Sequence, residues 1–519
     1  MDTRKARLHD KFGTIPEGRE WKKTVETFYD LYRSGENEPV DGIDDITWQD
    51  LSMNEVFDRI NQCDTSAGEE ILYWQLRRNC MDPEERKAFE KRVHTFQEEE
   101  GEREAVEMLL LNIGKSTASY YIPSYMDAIE EYGMKHTWIY RGLQILLVVG
   151  LLLQLVFHTE MTGFFLGGVC LVNLVLYAVL KMKYEMELGM IAPATEVLEV
   201  GKKLAKRREI GEMYPELEER VRKFGSTIRG VHFLRMQKTG ALSGDVASVF
   251  MDYVLGITLW QITTYNKVMK RLSEHADEYL DIYRIVGEID AAISVASFRE
   301  SLPWYCLPEF ENARRMHMED LYHPLIRKPV ENSLDLEKGC LITGSNASGK
   351  STFIKAAALN AVLAQSINTC AARSFCMPPA QVITSMAVKD DLEAGESYFI
   401  REIRYLKRIL DSLRDDRMTV CAIDEILRGT NTGERIRASR AILEYLADKN
   451  CIALVASHDK ELTELLKEQY ENYHFSEVIG EEDIYFSYKI QKGPATSQNA
   501  VKLLELTGFP EKIIRAALR

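Results

Sequence analysis

The sequence predicts an α-helical N-terminal region, interrupted by an apolar helical hairpin and followed by an α/β domain at the C-terminal end. Three observations carry that prediction. Leu280, Ile282, Ile285, Val286 and Ile289 recur at three- and four-residue spacing among charged residues, the pattern of a core-facing helix. Gly142–Phe157 and Gly163–Leu180 are uncharged runs broken only by Gln144, Gln154 and Asn173. Beyond residue 339, short apolar runs end in glycine, acid or histidine, as buried parallel strands do when they deliver functional groups from their carboxyl ends.

The chain of 519 residues is long enough for two or three domains. Its elements divide it into an N-terminal helical extension (1–50), a first part of a helical core (51–137), the apolar hairpin (138–182), a second part of the core (183–322) and the α/β domain (323–519). The last boundary falls near Arg314–Asn332, where His323-Pro324 and Lys328-Pro329 interrupt helix. The formal charge of -15 excludes a generic nucleic-acid coat, so any DNA contact is local. Nine cysteines are scattered without a CxxC pair, as expected of reduced thiols in a cytosolic fold. Met1–Lys11 is charged throughout, so no cleaved signal peptide is expected. There is no internal repeat.

Each apolar run approaches the length needed to cross about 30 Å of hydrocarbon. Trp138, Tyr140 and Tyr177 supply interfacial aromatics, and Arg141 can snorkel at the edge. The connector His158–Thr162 carries Glu160 but no Lys or Arg, while Lys135, Arg141, Lys181 and Lys183 flank the outer ends. The runs therefore read as a two-pass hairpin in the cytoplasmic membrane with both termini in the cytosol, its lipid contact confined to residues 138–182. The alternative is a buried hairpin in a soluble core. A basic cluster follows at Lys202, Lys203, Lys206, Arg207 and Arg208; it reads either as a surface for anionic lipid or DNA phosphates, or as a solvated face balanced by Glu216, Glu218 and Glu219.

The chemistry concentrates in three places. Leu341–Thr352 is an apolar run that opens into GxxxxGKS and then into a helix-forming segment, the spelling of a nucleotide-binding P-loop. Glycines let the backbone curl so that successive N–H groups point at phosphate oxygens, and the following helix presents its positive N-terminal end. Gly344, Ser345, Asn346, Ala347, Ser348, Gly349, Lys350, Ser351 and Thr352 are thus the candidates for holding ATP, with Lys350 reaching the β- and γ-phosphates and Ser351 ligating Mg²⁺. Met418–Ile423 is a second apolar run, ending in Asp424-Glu425. Asp424 is placed to hold Mg²⁺ through its water shell, and Glu425 to orient or deprotonate an attacking water. A third run, Cys451–Val455, ends in Ala456-Ser457-His458-Asp459 and sets His458 where a γ-phosphate sensor would sit.

With those residues in view, the C-terminal two hundred residues resemble the MutS family of ATPases. Asp424–Thr432 (DEILRGTNT) is similar to its Walker B signature, and GSNASGKST, Gly395–Phe399, ASHDKEL, Gly493–Ser497 and Gly508–Pro510 agree in order. Ser345 stands where proline is common in the family and Ala347-Ser348 where Met-Gly is common, neither change removing a phosphate-binding N–H. More weakly, Asp64–Gly68 with Leu72 and Leu76, and Asp290, Ser294 and Ala296 followed by Pro308–Phe310 and His323-Pro324, resemble the start and end of the family's helical core.

The resemblance implies an α/β P-loop NTPase domain of the ABC/MutS type behind a core and lever of helices, a homodimer in which Ser397 completes the partner's nucleotide site, and DNA binding of the mismatch-repair kind. Only about fifty residues of this chain precede the core-like segment, so the mismatch-binding and connector domains are expected to be missing. Phe28-Tyr29-Asp30 faintly resembles the family's mismatch wedge, but it lacks the preceding glycine and fits an ordinary amphipathic helix. Two other readings stand beside a DNA-associated ATPase. A transport ATPase is disfavoured by the missing LSGGQ signature and by only two apolar helices. A membrane-tethered ATPase that gates a protein assembly or signalling event without DNA is compatible with every residue.

Overall fold

The computed structural model describes residues 3–18, 22–34, 42–78, 81–133, 136–242, 253–345, 348–386, 398–479, 484–495 and 509–517. Among the described residues the elements up to Glu300 are helices, and strands begin at Glu309. The strands are β1 (Glu309–Phe310), β2 (Met316–Leu321), β3 (Asn332–Leu336), β4 (Gly339–Thr343), β5 (Ser374–Met377), β6 (Ala380–Ser385), β7 (Met418–Asp424), β8 (Cys451–Ala456), β9 (Tyr470–Ile479) and β10 (Ile484–Lys492). They form a four-stranded sheet in the order β1-β5-β2-β3 and a six-stranded sheet in the order β10-β9-β4-β8-β7-β6. In the larger sheet every pairing is parallel except that of β10 with β9.

The parallel strands explain their own composition. β4 and β8 are buried along their whole length, because helices cover both faces of a parallel sheet and leave no face for polar residues. The helix Lys350–Ile367 is buried on nearly every side, so its apolar residues show no single stripe.

The helical core is closed by two helices far apart in sequence, Ser66–Arg77 and Ala276–Glu300. A Cβ on Gly287 would fall 2.4 Å from Ile71 Cγ1, and one on Gly68 would fall 2.2 Å from Asp290 Oδ2, so the helices meet where neither has a side chain. Thr65 caps the first helix with its hydroxyl and donates to Asp290, which also accepts from the Thr65 and Asp64 backbone N–H groups. The two weakly resembling segments are thereby joined in one buried network. Phe28 lies in this core, 6.1 Å from the Trp74 ring and stacked on Tyr283, with no exposed wedge.

The helical region is seated on the α/β domain by buried polar contacts. Arg299, 1 % exposed, donates to both Glu90 oxygens, to Thr369 Oγ1 and to the Asn368 carbonyl. Asp50 accepts from the Thr384 hydroxyl and the Met386 N–H at the end of β6.

Ile129–Phe157 and Glu160–Lys181 are long and apolar enough to cross a membrane, and little of either is buried. The second is part of one helix, Glu160–Leu204, of 45 residues, which at 1.5 Å per residue is about 68 Å long. The apolar run therefore continues without a break into the helical core. Three polar side chains inside the two runs make hydrogen bonds: Gln144 donates to the Thr258 carbonyl, Asn173 to the Ile257 carbonyl, and Gln154 accepts from Thr162 across the turn. Of the basic cluster, Arg207 pairs with Glu102 and Arg208 with Glu212.

Candidate functional site

β4 lies inside the larger sheet between β9 and β8, so its carboxyl end opens at the middle of the sheet edge. The chain turns there through Gly344, at φ +146°, and re-enters helix at Gly349, at φ +107°. A Cβ on Gly344 would lie 2.6 Å from the Phe475 carbonyl oxygen, so only glycine lets the loop lie this close to β9. Lys350 is buried and turns its ammonium back into the loop, donating to the carbonyls of Gly344 at 2.8 Å and Ser345 at 2.7 Å. Ser348 donates to the same Ser345 carbonyl, which fixes the loop from the other side. Ser351, one residue into the helix, lies close enough to the Asp424 carboxylate to oppose the upward push of burial on its pKa.

The register of the sheet brings the other groups to this point. β7 and β8 pair so that Asp424 stands opposite Ala456, and the next residue, Glu425, donates its N–H to the Ala456 carbonyl. His458, two residues past β8, then reaches the Glu425 carboxylate with Nε2 2.9 Å from Oε1. Arg428 pairs with the other oxygen of Glu425 and lies 4.0 Å from Asp424. Glu425 and Leu427 both sit at positive φ, +64° and +58°, a strained turn that aims the carboxylate back across the loop.

The two carboxylates are driven apart electrostatically. Burial pushes the Asp424 carboxyl above its ordinary range, against the opposing Ser351 hydroxyl and the charges of Arg428 and Lys350. Burial also pushes Glu425 up, but the His458 hydrogen bond and the charges of Arg428, His458 and Lys350 outweigh it and leave the carboxyl below its ordinary range. Glu425 is thus held ionised, while Asp424 is a carboxylate that a cation would relieve.

Lys350, Ser351, Asp424, Glu425 and His458 therefore converge, framed by Gly344, Ser345, Ser348 and Gly349, with Thr352 close behind in the first turn of the helix. Asn346, Ala347 and Ser397 lie outside the described residues, as do Gly395-Glu396, Thr496-Ser497 and Gly508. Three contributors escape a reading of the sequence. Arg428 lies inside the DEILRGTNT run, so its signal is present there. Glu402, buried on the helix Tyr398–Ser412, accepts the Arg428 N–H at 3.0 Å and nothing in its spacing distinguishes it from a surface acid. The third is a slot of about 230 Å³ beside Gly349 and Thr352, walled by His323, Val330, Phe353 and Tyr488. Burial and the Lys355 charge lower the His323 imidazole to about 4, so it is a neutral wall of that slot.

A glycine-framed lysine loop facing two strand-end acids and a histidine stands at the carboxyl edge of a parallel sheet, the place where open α/β sheets bind ligands. Residues 340–519 match the family model of MutS domain V. The chain is 30% identical over 264 residues to a DNA mismatch repair protein MutS of Natronomonas pharaonis, covering 49% of this chain and 30% of that protein. It is 29% identical over 291 residues to that of Listeria welshimeri, covering 54% and 32%, and 30% identical over 268 residues to that of Listeria monocytogenes, covering 49% and 31%. The C-terminal part of the chain therefore carries a MutS-family domain V. It spans about a third of the length of these relatives.

Proposed function

We propose that this chain binds Mg²⁺ and ATP at the β4 loop and hydrolyses the nucleotide, as a P-loop ATPase of the ABC/MutS type tethered to the cytoplasmic membrane by its apolar hairpin. The observation that carries the reading is the 2.9 Å pairing of His458 with Glu425 next to Asp424, with Ser351 close to the Asp424 carboxylate. A hydroxyl and a carboxylate raised by burial are a hard-oxygen donor set suited to Mg²⁺, and the metal would supply charge neutralisation on the phosphates. Lys350 and the loop N–H groups hold phosphate oxygens, with Gly344 and Gly349 supplying the positive-φ turns that curl the loop. The ionised Glu425 accepts a proton from water or orients it, His458 fixes its carboxylate, and the apolar slot beside Thr352 accommodates a planar base.

The pair of exposed apolar helices supports the membrane tether, with both termini cytosolic as the flanking charges direct. The relatives, named as DNA mismatch repair proteins, support a local DNA contact, and the family resemblance implies a homodimer with Ser397 acting across it. Steady-state ATPase assays and nucleotide filter binding test the core of the proposal. Lys350→Ala should lose nucleotide binding, and a Lys350→Ala chain mixed with a Ser397→Ala chain should regain one intact site per heterodimer. Undiminished hydrolysis by Lys350→Ala would overturn the ATPase assignment. For DNA, binding measured with and without ATP across a salt series decides, because backbone contacts weaken steeply with salt.

A further inference from the structure

A groove of about 830 Å³ runs between the start of the apolar helix Thr137–Phe157 and the helix Trp260–Glu274. Its lining is graded along one direction. At the outer end stand Arg141, Lys267 and Lys270, with Glu130 on the rim; toward the middle of the apolar helix the lining becomes Ile145, Val148 and Val149. Among the described residues no carboxylate pairs with Arg141 or Lys267, and Lys270 reaches Glu274 at 3.5 Å. Arg141, Lys267, Val148 and Val149 are all exposed, so this is an open surface with a charged head and an apolar floor.

The two helices are locked at the waist of the groove. Gln144 donates to the Thr258 carbonyl and to Thr263 Oγ1, so the basic groups of one helix and the apolar residues of the other keep a fixed register. Trp138 is exposed at 70% near the start of the apolar helix, one turn from Arg141, where indole rings settle at a membrane interface. On that placement Arg141 and Lys267 lie at headgroup depth, and Ile145, Val148 and Val149 lie at the depth of the first acyl carbons.

We propose that this groove binds one anionic glycerophospholipid from the cytoplasmic leaflet, its phosphate against Arg141 and Lys267 and an acyl chain along Val148 and Val149. The inference rests on the membrane reading above and adds to it a lipid class and a site. Charge complementarity favours an anionic over a zwitterionic headgroup, and the apolar floor is continuous with the exposed belt Leu151, Leu152 and Leu155. The groove would couple lipid composition to the helix Trp260–Glu274, which packs against the long helices of the core.

Native mass spectrometry of the full chain in neutral detergent tests this, with equimolar phosphatidylglycerol and phosphatidylcholine as probes. Wild type should retain a single phosphatidylglycerol with a preference of about tenfold or more, and Arg141→Gln with Lys267→Gln should lose the preference while keeping its melting temperature. Lys202→Gln with Lys206→Gln removes the same charge elsewhere and should leave the preference intact. Equal retention of both lipids, loss of preference in the control pair, or displacement of the lipid by millimolar inorganic phosphate would overturn the site. Those results leave the membrane reading standing, whereas recovery of wild type in buffer without detergent would overturn that reading and the groove with it.

Discussion

The His458 imidazole stands 2.9 Å from the Glu425 carboxylate, each just beyond the end of one of two paired strands. The β7–β8 register fixes this distance, and the Arg428 guanidinium holds the other carboxylate oxygen. With both oxygens occupied, Glu425 has one orientation and a lowered pKa. Glu425→Gln should keep nucleotide binding and lower turnover by about 10²–10⁴, the usual span for a general base. His458→Ala frees one oxygen and should lower turnover while shifting the acidic limb of the pH–rate profile upward, since the hydrogen bond that depresses the Glu425 pKa is gone. A single-turnover assay with bound ATP reads both, and an unchanged pH profile in His458→Ala would remove the histidine from this role.

The groups at the sheet edge were legible because parallel strands advertise themselves: each is a short apolar run, and the residues just past its end must lie at the carboxyl edge. Strand order was not legible, since nothing in the runs says that β4 sits between β9 and β8. The core helices were visible by period, whereas their closure through Gly68 and Gly287 depends on two glycines that look like any others. The apolar runs mark out the hairpin, but not the partner to which the Gln144 and Asn173 amides donate. That partner is a run of backbone carbonyls at 257–258, and backbone atoms carry no sequence signature.

Gly68 is where the helical core tolerates least. A methyl there would fall within 2.7 Å of three Asp290 atoms, and Asp290 cannot retreat without breaking its bonds to Thr65 and Asp64. Gly68→Ala should destabilise the helical core by about 1–3 kcal/mol through overpacking, with further loss if the Asp290 network opens. Scanning fluorimetry checks it; an unchanged melting temperature would mean that the two helices are not held this close.

The same region should make stability fall as pH rises. Burial, reinforced by the charge of Asp64 and opposed by Lys11 and Arg103, pushes the Glu107 carboxyl up to about 8; burial and Asp64, opposed by hydrogen bonds from Thr65 and Asp64, push Asp290 up to about 6. The folded chain therefore keeps protons that the unfolded chain has lost above about pH 4. Stability should decline from there through pH 6 for Asp290 and on to pH 8 for Glu107, at up to about 1.4 kcal/mol per pH unit for each group. Glu107→Gln should flatten the decline between pH 6 and 8 in urea unfolding of the whole chain. An equal slope in wild type and variant would contradict the assignment.

The hairpin offers a test in which a bilayer and water give opposite answers. Leu151 is 53% exposed and Leu171 is 63% exposed, near the middles of the two apolar helices and on their outer faces. In water, Leu151→Asp with Leu171→Asp would be a surface change worth within about 0.5 kcal/mol per site and would improve solubility. In hydrocarbon each aspartate costs roughly 2.5 to 3.5 kcal/mol on insertion scales, enough together to expel a hairpin of this length. Carbonate-washed membranes should therefore retain wild type and lose the double variant, and a Glu160→Cys chain should be labelled from outside the cell by an impermeant maleimide. Wild type in the soluble fraction, with a double variant that behaves identically, would place the exposed apolar belt against protein and return the chain to the cytosol.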